Sequence, residues 1–421
     1  CSGLTSITIP SSVTSIGSNV FDGCSSLKSI TVNSENTVYY SEGNCLIERD
    51  TKKLVLGCMD SVIPEDVTGI GPNAFSYCAG LTELTIPESV TDIDSSAFFR
   101  CFGIRSVAVN SYICSRSMSQ VFPDSYKVIE SVMIPESVTS IGSSAFIGCT
   151  GLMSVVVNSY ICSSRMSEVF PDSYKVIESV TIPKSVTSIG DHAFGGCSGL
   201  TSIKLPESVV SIGDSALYNC CSSLKSITVD SENTVYYSDG NCLIERDTKE
   251  LVLGCMNSAI PEDVTSIGSG AFLGCSKLTS ITIPEGVTSI GEAAFSGCSG
   301  LTSISIPKSI ISMNRSIFAN CGDLSVSFAE GLKKIPDNAL RMYTWEAVGS
   351  ISVEIPASVT SIGSYAFSGC KDVSIVFAEG TLEIPSAALK SASAVISVTI
   401  PSSVTSIGDS AFYGCSGLTS I

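Results

Sequence analysis

The residues able to do chemistry are 19 cysteines, one histidine and a periodic set of carboxylates. Twelve of the cysteines share one place in a recurring pattern: Cys1, Cys24, Cys78, Cys101, Cys149, Cys197, Cys220, Cys275, Cys298, Cys321, Cys370 and Cys415. They recur once per unit or per two units, and never as Cys-x-x-Cys pairs. Zinc needs four ligands converging on a tetrahedron, whereas side chains repeated along a ladder point in parallel. Neighbouring strands stand about 4.8 Å apart, wider than the ~3.8 Å between Cβ atoms that a disulfide prefers. The set reads as a core column of reduced thiols, so no metal site is expected. The cysteine count leaves the redox compartment open.

Catalytic readings are poorly supplied. A triad needs an oriented imidazole, and His192 occupies a slot that holds Ala293, Gly270 and Ser144 elsewhere, a tolerant surface position. Glu88, Glu136, Glu207 and Glu285 each follow a proline, which marks a solvated rim rather than an acid/base pair. Asp230, Glu232, Asp239, Asn233 and Asn241 have the donors for Ca²⁺, but these residue types also build turns. Asn314-Arg315-Ser316 is a lone glycosylation sequon. Glycines follow isoleucine in Ile-Gly turns and form no phosphate loop. No cofactor and no enzymatic activity are expected.

The elements that hold these residues repeat. Residues 278–301, LTSITIPEGVTSIGEAAFSGCSGL, alternate apolar and polar through Leu278, Ile281 and Ile283, the signature of a strand. Pro284 ends it, since proline cannot donate to a ladder. Val287, Ile290, Ala294 and Phe295 then turn inward and Cys298 closes the unit. The last apolar residue of each strand falls at Ile9, Val32, Ile63, Ile86, Val109, Ile134, Val157, Ile182, Leu205, Val229, Ile260, Ile283, Ile306, Phe328, Ile355, Phe377 and Ile400. Most spacings are about 23 residues. One such coil cannot bury its own apolar face, so coils must stack. The spacing predicts a single repeat solenoid over 1–421 of about 17 coils, a β-rich α/β fold. A parallel sheet lies on one face, with turns and short helical segments on the other.

The units LTSITIP, VTSIG and AFxGC resemble the BspA-like branch of the leucine-rich repeats, over nearly the whole chain. The resemblance implies that same parallel-sheet architecture in a surface-exposed or secreted protein, often serving adhesion. It supplies no catalytic motif and no ligand. The chain opens and closes on the same heptapeptide, CSGLTSI, which reads as a fragment of a longer array. Uncapped first and last coils allow end-to-end self-association.

Two insertions recur. Residues 33–59 and 230–256 read as hairpins protruding from the stack, centred between Thr51 and Lys52 and between Thr248 and Lys249. That register sets Ile47 opposite Leu56 and Arg49 opposite Leu54. It also brings Cys45 to Cys58 and Cys242 to Cys255, either as cross-strand disulfides or as pairs of buried thiols. Residues 110–130 and 158–178 form longer coils sharing NSYIC and VFPDSYKVIESV. A short helix over 115–122, ended before Pro123, turns Met118, Val121 and Phe122 to the core. Tyr112, Tyr126, Tyr160 and Tyr174 are half-buried packing residues or a binding ridge. Trp345 is a candidate contact residue.

The net charge of −17 argues against nucleic acid, which needs clustered cations, and against anionic lipid. No apolar run approaches the ~18 residues that span a bilayer. Between the inward marks, strand residues point onto an open face: Ser6, Thr8, Glu83, Thr85, Ser179, Thr181, Ser202, Lys204, Ser226, Thr228, Ser280, Thr282, Ser303, Ser305, Ser397 and Thr399. This hydroxyl face suits a protein or glycan ligand held by many weak contacts. The alternative is a spacer whose hairpins and longer coils bind.

Overall fold

The computed structural model describes residues 1–17, 19–342, 349–368, 370 and 372–421, so Trp345 lies outside the described residues. The chain divides into two compact units, Cys1–Cys197 and Ser198–Ile421, where the spacing alone predicts one array. Both are β-solenoid, with parallel sheets on one side of the coil and turns on the other, to which the first unit adds four-residue helices.

In the first unit Ser6–Ile9 pairs with Ser29–Val32. A five-strand parallel ladder then runs through Glu83–Thr85, Ser106–Ala108, Ser131–Met133, Ser154–Val156 and Ser179–Thr181. In the second unit Ser202–Leu205 pairs with Ser226–Val229. A five-strand ladder follows through Ser303–Ile306, Leu324–Phe328, Ile351–Ile355, Val373–Phe377 and Val395–Thr399. The VTSI segments add a second, shorter ladder that the inward turn of Val287 and Ile290 did not predict; Ser266–Ile267, Ser289–Ile290 and Ser312–Met313 run in parallel there. Residues 279–283, regular in sequence, carry no strand.

Inside the coils the apolar marks are buried, save Val32, Val229 and Ile400, which are half-buried, and the AF turns stack their phenylalanines. Phe75 lies 5.2 Å from Phe98, Phe98 4.9 Å from Phe122, and Phe272 5.1 Å from Phe295. The cysteine column serves this stack as a set of donors. The Cys101 thiol donates to Phe75 O at 2.9 Å, Cys298 to Phe272 O at 3.2 Å and Cys321 to Phe295 O at 3.2 Å, each one coil back. Burial pushes the Cys101 thiol up to about 12, which keeps the proton that this bond needs. Ser125 and Ser173 take the same place, three residues after Phe122 and Phe170 and closing the same backbone turn. Their hydroxyls are buried without a partner.

Four buried asparagines tie coils together. Asn36, Asn110, Asn158 and Asn233 each donate through Nδ2 to two carbonyls of the preceding coil, those of Pro10 and Val13, Pro87 and Val90, Pro135 and Val138, and Pro206 and Val209. Each Oδ1 accepts an amide of its own coil, such as Ile113 N on Asn110 at 3.1 Å. In the longer coils Asn110 and Asn158 thereby cap helices Ser111–Cys114 and Ser159–Cys162. The single helix expected over 115–122 is only Met118–Val121, because the chain first turns through Ser111–Cys114. Met118, Val121 and Phe122 are buried.

Each insertion is a three-stranded meander rather than one hairpin: Tyr39–Glu42, Cys45–Glu48 and Lys53–Leu56, then Tyr236–Asp239, Cys242–Glu245 and Glu250–Leu253. Gly43 and Asn44, both at positive φ, make the first turn. The expected register is corrected as well. A bulge between Leu46 and Ile47 places Ile47 opposite Leu54 and Leu46 opposite Leu56. Cys45, Cys58, Cys242 and Cys255 are free thiols, and no Cys45–Cys58 or Cys242–Cys255 bridge is present. Separate carbonyls accept them: Cys45 Sγ lies 3.6 Å from Val62 O, and Cys58 Sγ 3.7 Å from Asn44 O. Ile63 and Ile260 themselves lie in no strand, since Val62 N and Ala259 N are taken by the meander carbonyls of Gly43 and Gly240, each at 2.8 Å.

Candidate binding face

A leucine-rich coil reads Leu-x-x-Leu-x-Leu along its strand, and the three intervening residues face out. Ladder register then aligns these outward residues into columns crossing the sheet. Ser6 lies opposite Ser29 and Thr8 opposite Thr31. Ser202 lies opposite Ser226 and Lys204 opposite Thr228. Ser303 and Ser305 lie opposite Ser325 and Ser327, and Ser397 and Thr399 opposite Ser374 and Val376.

Of the residues singled out from sequence, Ser6, Thr8, Glu83, Thr85, Ser179, Thr181, Ser202, Lys204, Thr228, Ser280, Thr282, Ser303, Ser305 and Thr399 are exposed, and Ser226 and Ser397 are half-buried. Neighbouring hydroxyls bond one another: Thr8 Oγ1 to Thr31 Oγ1 at 2.9 Å and Ser397 Oγ to Ser374 Oγ at 2.8 Å. The columns do not run unbroken. In each unit the meander coil interrupts the ladder, which separates Ser6 and Thr8 from Glu83 and Thr85. Beside residues 279–283 the second unit has a shallow depression of about 260 Å³, lined by Ser280, Ile281, Thr282, Ser303, Ile304, Ser305, Ser325 and Ser327.

Several other candidates make contacts within and between coils. Glu88 accepts Ser137 Oγ at 2.6 Å and Glu136 accepts Ser185 Oγ at 2.6 Å, so these carboxylates join coils. Asn233 is turned into the core, and Asp230 accepts the Glu232 amide at 3.1 Å. Among the described residues no group of His, Cys, Asp and Glu is placed to hold a metal. His192 is exposed in a left-handed turn position. Tyr112, Tyr126, Tyr160 and Tyr174 are half-buried. Tyr126 and Tyr174 cover Gly148 and Gly196, while Asp124 and Asp172 of the same motif accept the amides of Arg100 and Gly148 one coil back, at 2.7 and 2.8 Å.

Sequence reasoning passed over the middle of the first unit's face. There the outward column reads Thr85, Ala108, Met133, Val156 and Thr181, so the hydroxyl pattern gives way to apolar groups. The signal was available: these strands read SVAV, SVMI and SVVV where others read SITI.

The parallel ladders, inward leucine column and short turn-side segments define a leucine-rich-repeat solenoid. The BspA type leucine rich repeat region matches residues 1–54, 56–176, 164–243, 254–348 and 341–421, and the chain belongs to this family. The chain is similar to a leucine rich cell surface protein from Faecalibacterium prausnitzii A2-165, with 29% identity, 88% of this chain and 79% of that one covered, and a TM-score of 0.40. A leucine-rich repeat protein from Eubacterium ventriosum ATCC 27560 is 20% identical over 90% of this chain and 93% of its own, with a TM-score of 0.42. One from Bacteroides ovatus ATCC 8483 is 22% identical over 90% and 91%, with a TM-score of 0.33. No curated protein matches the sequence. Among the described residues no helix is long and apolar enough to cross a membrane.

Proposed function

We propose that the chain is a non-catalytic binding module of a surface or secreted protein, engaging a protein or glycan through its open sheet face. The observation that carries this is the register-aligned exposure of outward Ser and Thr side chains on successive strands, such as Thr8 with Thr31 and Ser303 with Ser325. Uncharged hydroxyls at strand spacing offer many shallow hydrogen-bonding positions, and affinity then grows with the number engaged. Small metabolites prefer apolar concavities. Membership of the BspA type supports a surface or secreted setting.

The second reading assigns binding to the meanders and longer coils. Their buried strands, with Leu46, Ile47 and Leu54 at 0% exposure, make them part of the core, so deleting them tests nothing but folding. The separating experiment keeps both folds. Asp50→Lys with Asp247→Lys alters the exposed meander tips. Thr85→Glu, Thr181→Lys, Thr228→Glu and Ser305→Lys alter the face. Loss of glycan or matrix-protein binding in the second set alone supports the face; loss in the first set alone rejects it.

A further inference from the structure

The heptapeptide Leu-Thr-Ser-Ile-Thr-Ile-Pro occurs at residues 4–10 and again at 278–284. In the first place Ser6–Ile9 pairs in register with Ser29–Val32. In the second, among the described residues, 279–283 make no backbone hydrogen bond to either neighbouring coil. The sequence is the same, so the surroundings set the difference. The preceding coil offers no strand at Ile260 to pair with, because the amide of Ala259 is held by the Gly240 carbonyl. Amides and carbonyls left out of a ladder need another partner. The depression of about 260 Å³ lies at this break, with 280–282 on one side and 303–305 on the other.

Its hydroxyls are equally uncommitted. Among the described residues, those of Ser280, Thr282, Ser303, Ser305, Ser325 and Ser327 bond no protein group. Elsewhere on the face Thr8 bonds Thr31 and Ser397 bonds Ser374. No charged side chain and no aromatic ring lines the depression, and half-buried Ile281 supplies an apolar surface in it. The depression opens onto a column of serines. Ser303 lies opposite Ser325, and Ser325 opposite Ser352, which is exposed. These strands stand about 4.8 Å apart, close to the advance of one pyranose ring along a glycan. A peptide laid across them advances about 3.3 Å per residue and falls out of step with the column.

Resting on the reading that the sheet face binds, we propose that the second unit takes a neutral hexose chain laid across its strands, with one ring in the depression and the following rings along Ser325 and Ser352. Each sugar hydroxyl both donates and accepts, as do the serine and threonine hydroxyls that meet it. The C–H face of the ring covers Ile281. A charged ligand meets no counter-charge in the depression. An apolar side chain would strip water from hydroxyls and backbone groups without replacing its hydrogen bonds. One ring binds weakly, and affinity grows with the number of rings engaged.

The test titrates the full chain with neutral gluco-, manno- and galacto-oligosaccharides, with an oligogalacturonate, and with the peptide Leu-Thr-Ser-Ile-Thr-Ile-Pro. Ser303→Ala, Ser305→Val and Ser327→Val together remove three hydroxyls. Valine already stands in the column of Ser305 and Ser327, as Val376 beyond Glu354, so folding is kept, and melting curves verify it. At least one neutral series should bind, more tightly as it lengthens, and the oligogalacturonate and the peptide should not. The triple variant should weaken the bound series about tenfold or more, while Asp50→Lys leaves it unchanged. Ser352→Lys, at an exposed position outside the depression, is the second variant and should weaken long oligosaccharides but not a disaccharide. No neutral series bound, equal binding of the oligogalacturonate, preference for the peptide, or affinity untouched by both variants overturns the proposal. Oligosaccharide binding that is lost on Thr85→Glu and Thr181→Lys and untouched by the triple variant overturns this location and leaves the face reading standing.

Discussion

The amide of Val62 donates to the carbonyl of Gly43 at 2.8 Å, and a Cβ on Gly43 would collide with the carbonyl oxygen of Val62. The same contact joins Gly240 to Ala259. Each meander thus grips the following coil through a position that only glycine fits, at φ +55° and +54°. An L side chain in this region already costs about 1–2 kcal/mol. Gly43→Ala should therefore destabilise by at least about 2 kcal/mol in urea unfolding, strain and collision together. Gly3→Ala, with open space around it, is the comparison. A loss at Gly43 no larger than at Gly3 rejects the contact.

Asn110 donates twice to the coil before it and accepts within its own. Asn110→Asp keeps the shape and the acceptor but places a carboxylate against two buried carbonyls. It should cost more than about 3 kcal/mol, since a buried unpaired charge exceeds the ~1–3 kcal/mol of an unsatisfied neutral group. Asn110→Ala should fall nearer that lower range. Denaturation at pH 7 that ranks alanine below aspartate in stability contradicts this role.

Much of this was legible in the residues. Ile9, Ile86, Ile182 and Ile306 mark the inward column at their expected numbers and are buried. The purpose of Asn110 was not, because its partners lie 20 and 23 residues away and no local pattern announces them. The meander was half legible. Its turn signal is Gly43-Asn44, and a search centred on Thr51 and Lys52 finds the second turn and misses the first. The bulge after Leu46 has no sequence mark, so the facing of Ile47 came out shifted. On the binding face, position followed from period, but the apolar break at Met133 lines up as a column only once its register with Ala108 and Val156 is known.

Ser125 and Ser173 interrupt a column of thiols with hydroxyls that have no partner. The C–S bond is longer than C–O, and the thiols of Cys101, Cys298 and Cys321 reach a carbonyl one coil back. Ser125→Cys and Ser173→Cys should each stabilise the fold by about 1 kcal/mol, by removing a buried unsatisfied hydroxyl and gaining apolar volume. Thermal unfolding under reducing conditions measures it. A lower midpoint for both variants contradicts the account.

Asp66 bonds Lys52 Nζ at 2.9 Å and Tyr40 Oη at 3.0 Å, clamping the first meander to the next coil. The lysine hydrogen bond, followed by that of Tyr40, holds its carboxyl below the ordinary carboxylate range. A carboxyl depressed in the folded state contributes stability above its unfolded value, ordinarily ~4, and loses it as pH falls through the folded value. Asp66→Asn should lower the melting temperature slightly at pH 7, and the difference from the parent should shrink below about pH 4. A difference that grows on acidification has the wrong sign.

Binding through the open sheet face is open to a direct test. An array of glycans and extracellular-matrix proteins, probed with the parent chain, the meander-tip pair Asp50→Lys and Asp247→Lys, and the face set Thr85→Glu, Thr181→Lys, Thr228→Glu and Ser305→Lys, measures it directly. Spots should be bound by the parent and the tip pair and lost with the face set, all three melting alike. Spots retained by the face set and lost with the tip pair would contradict it.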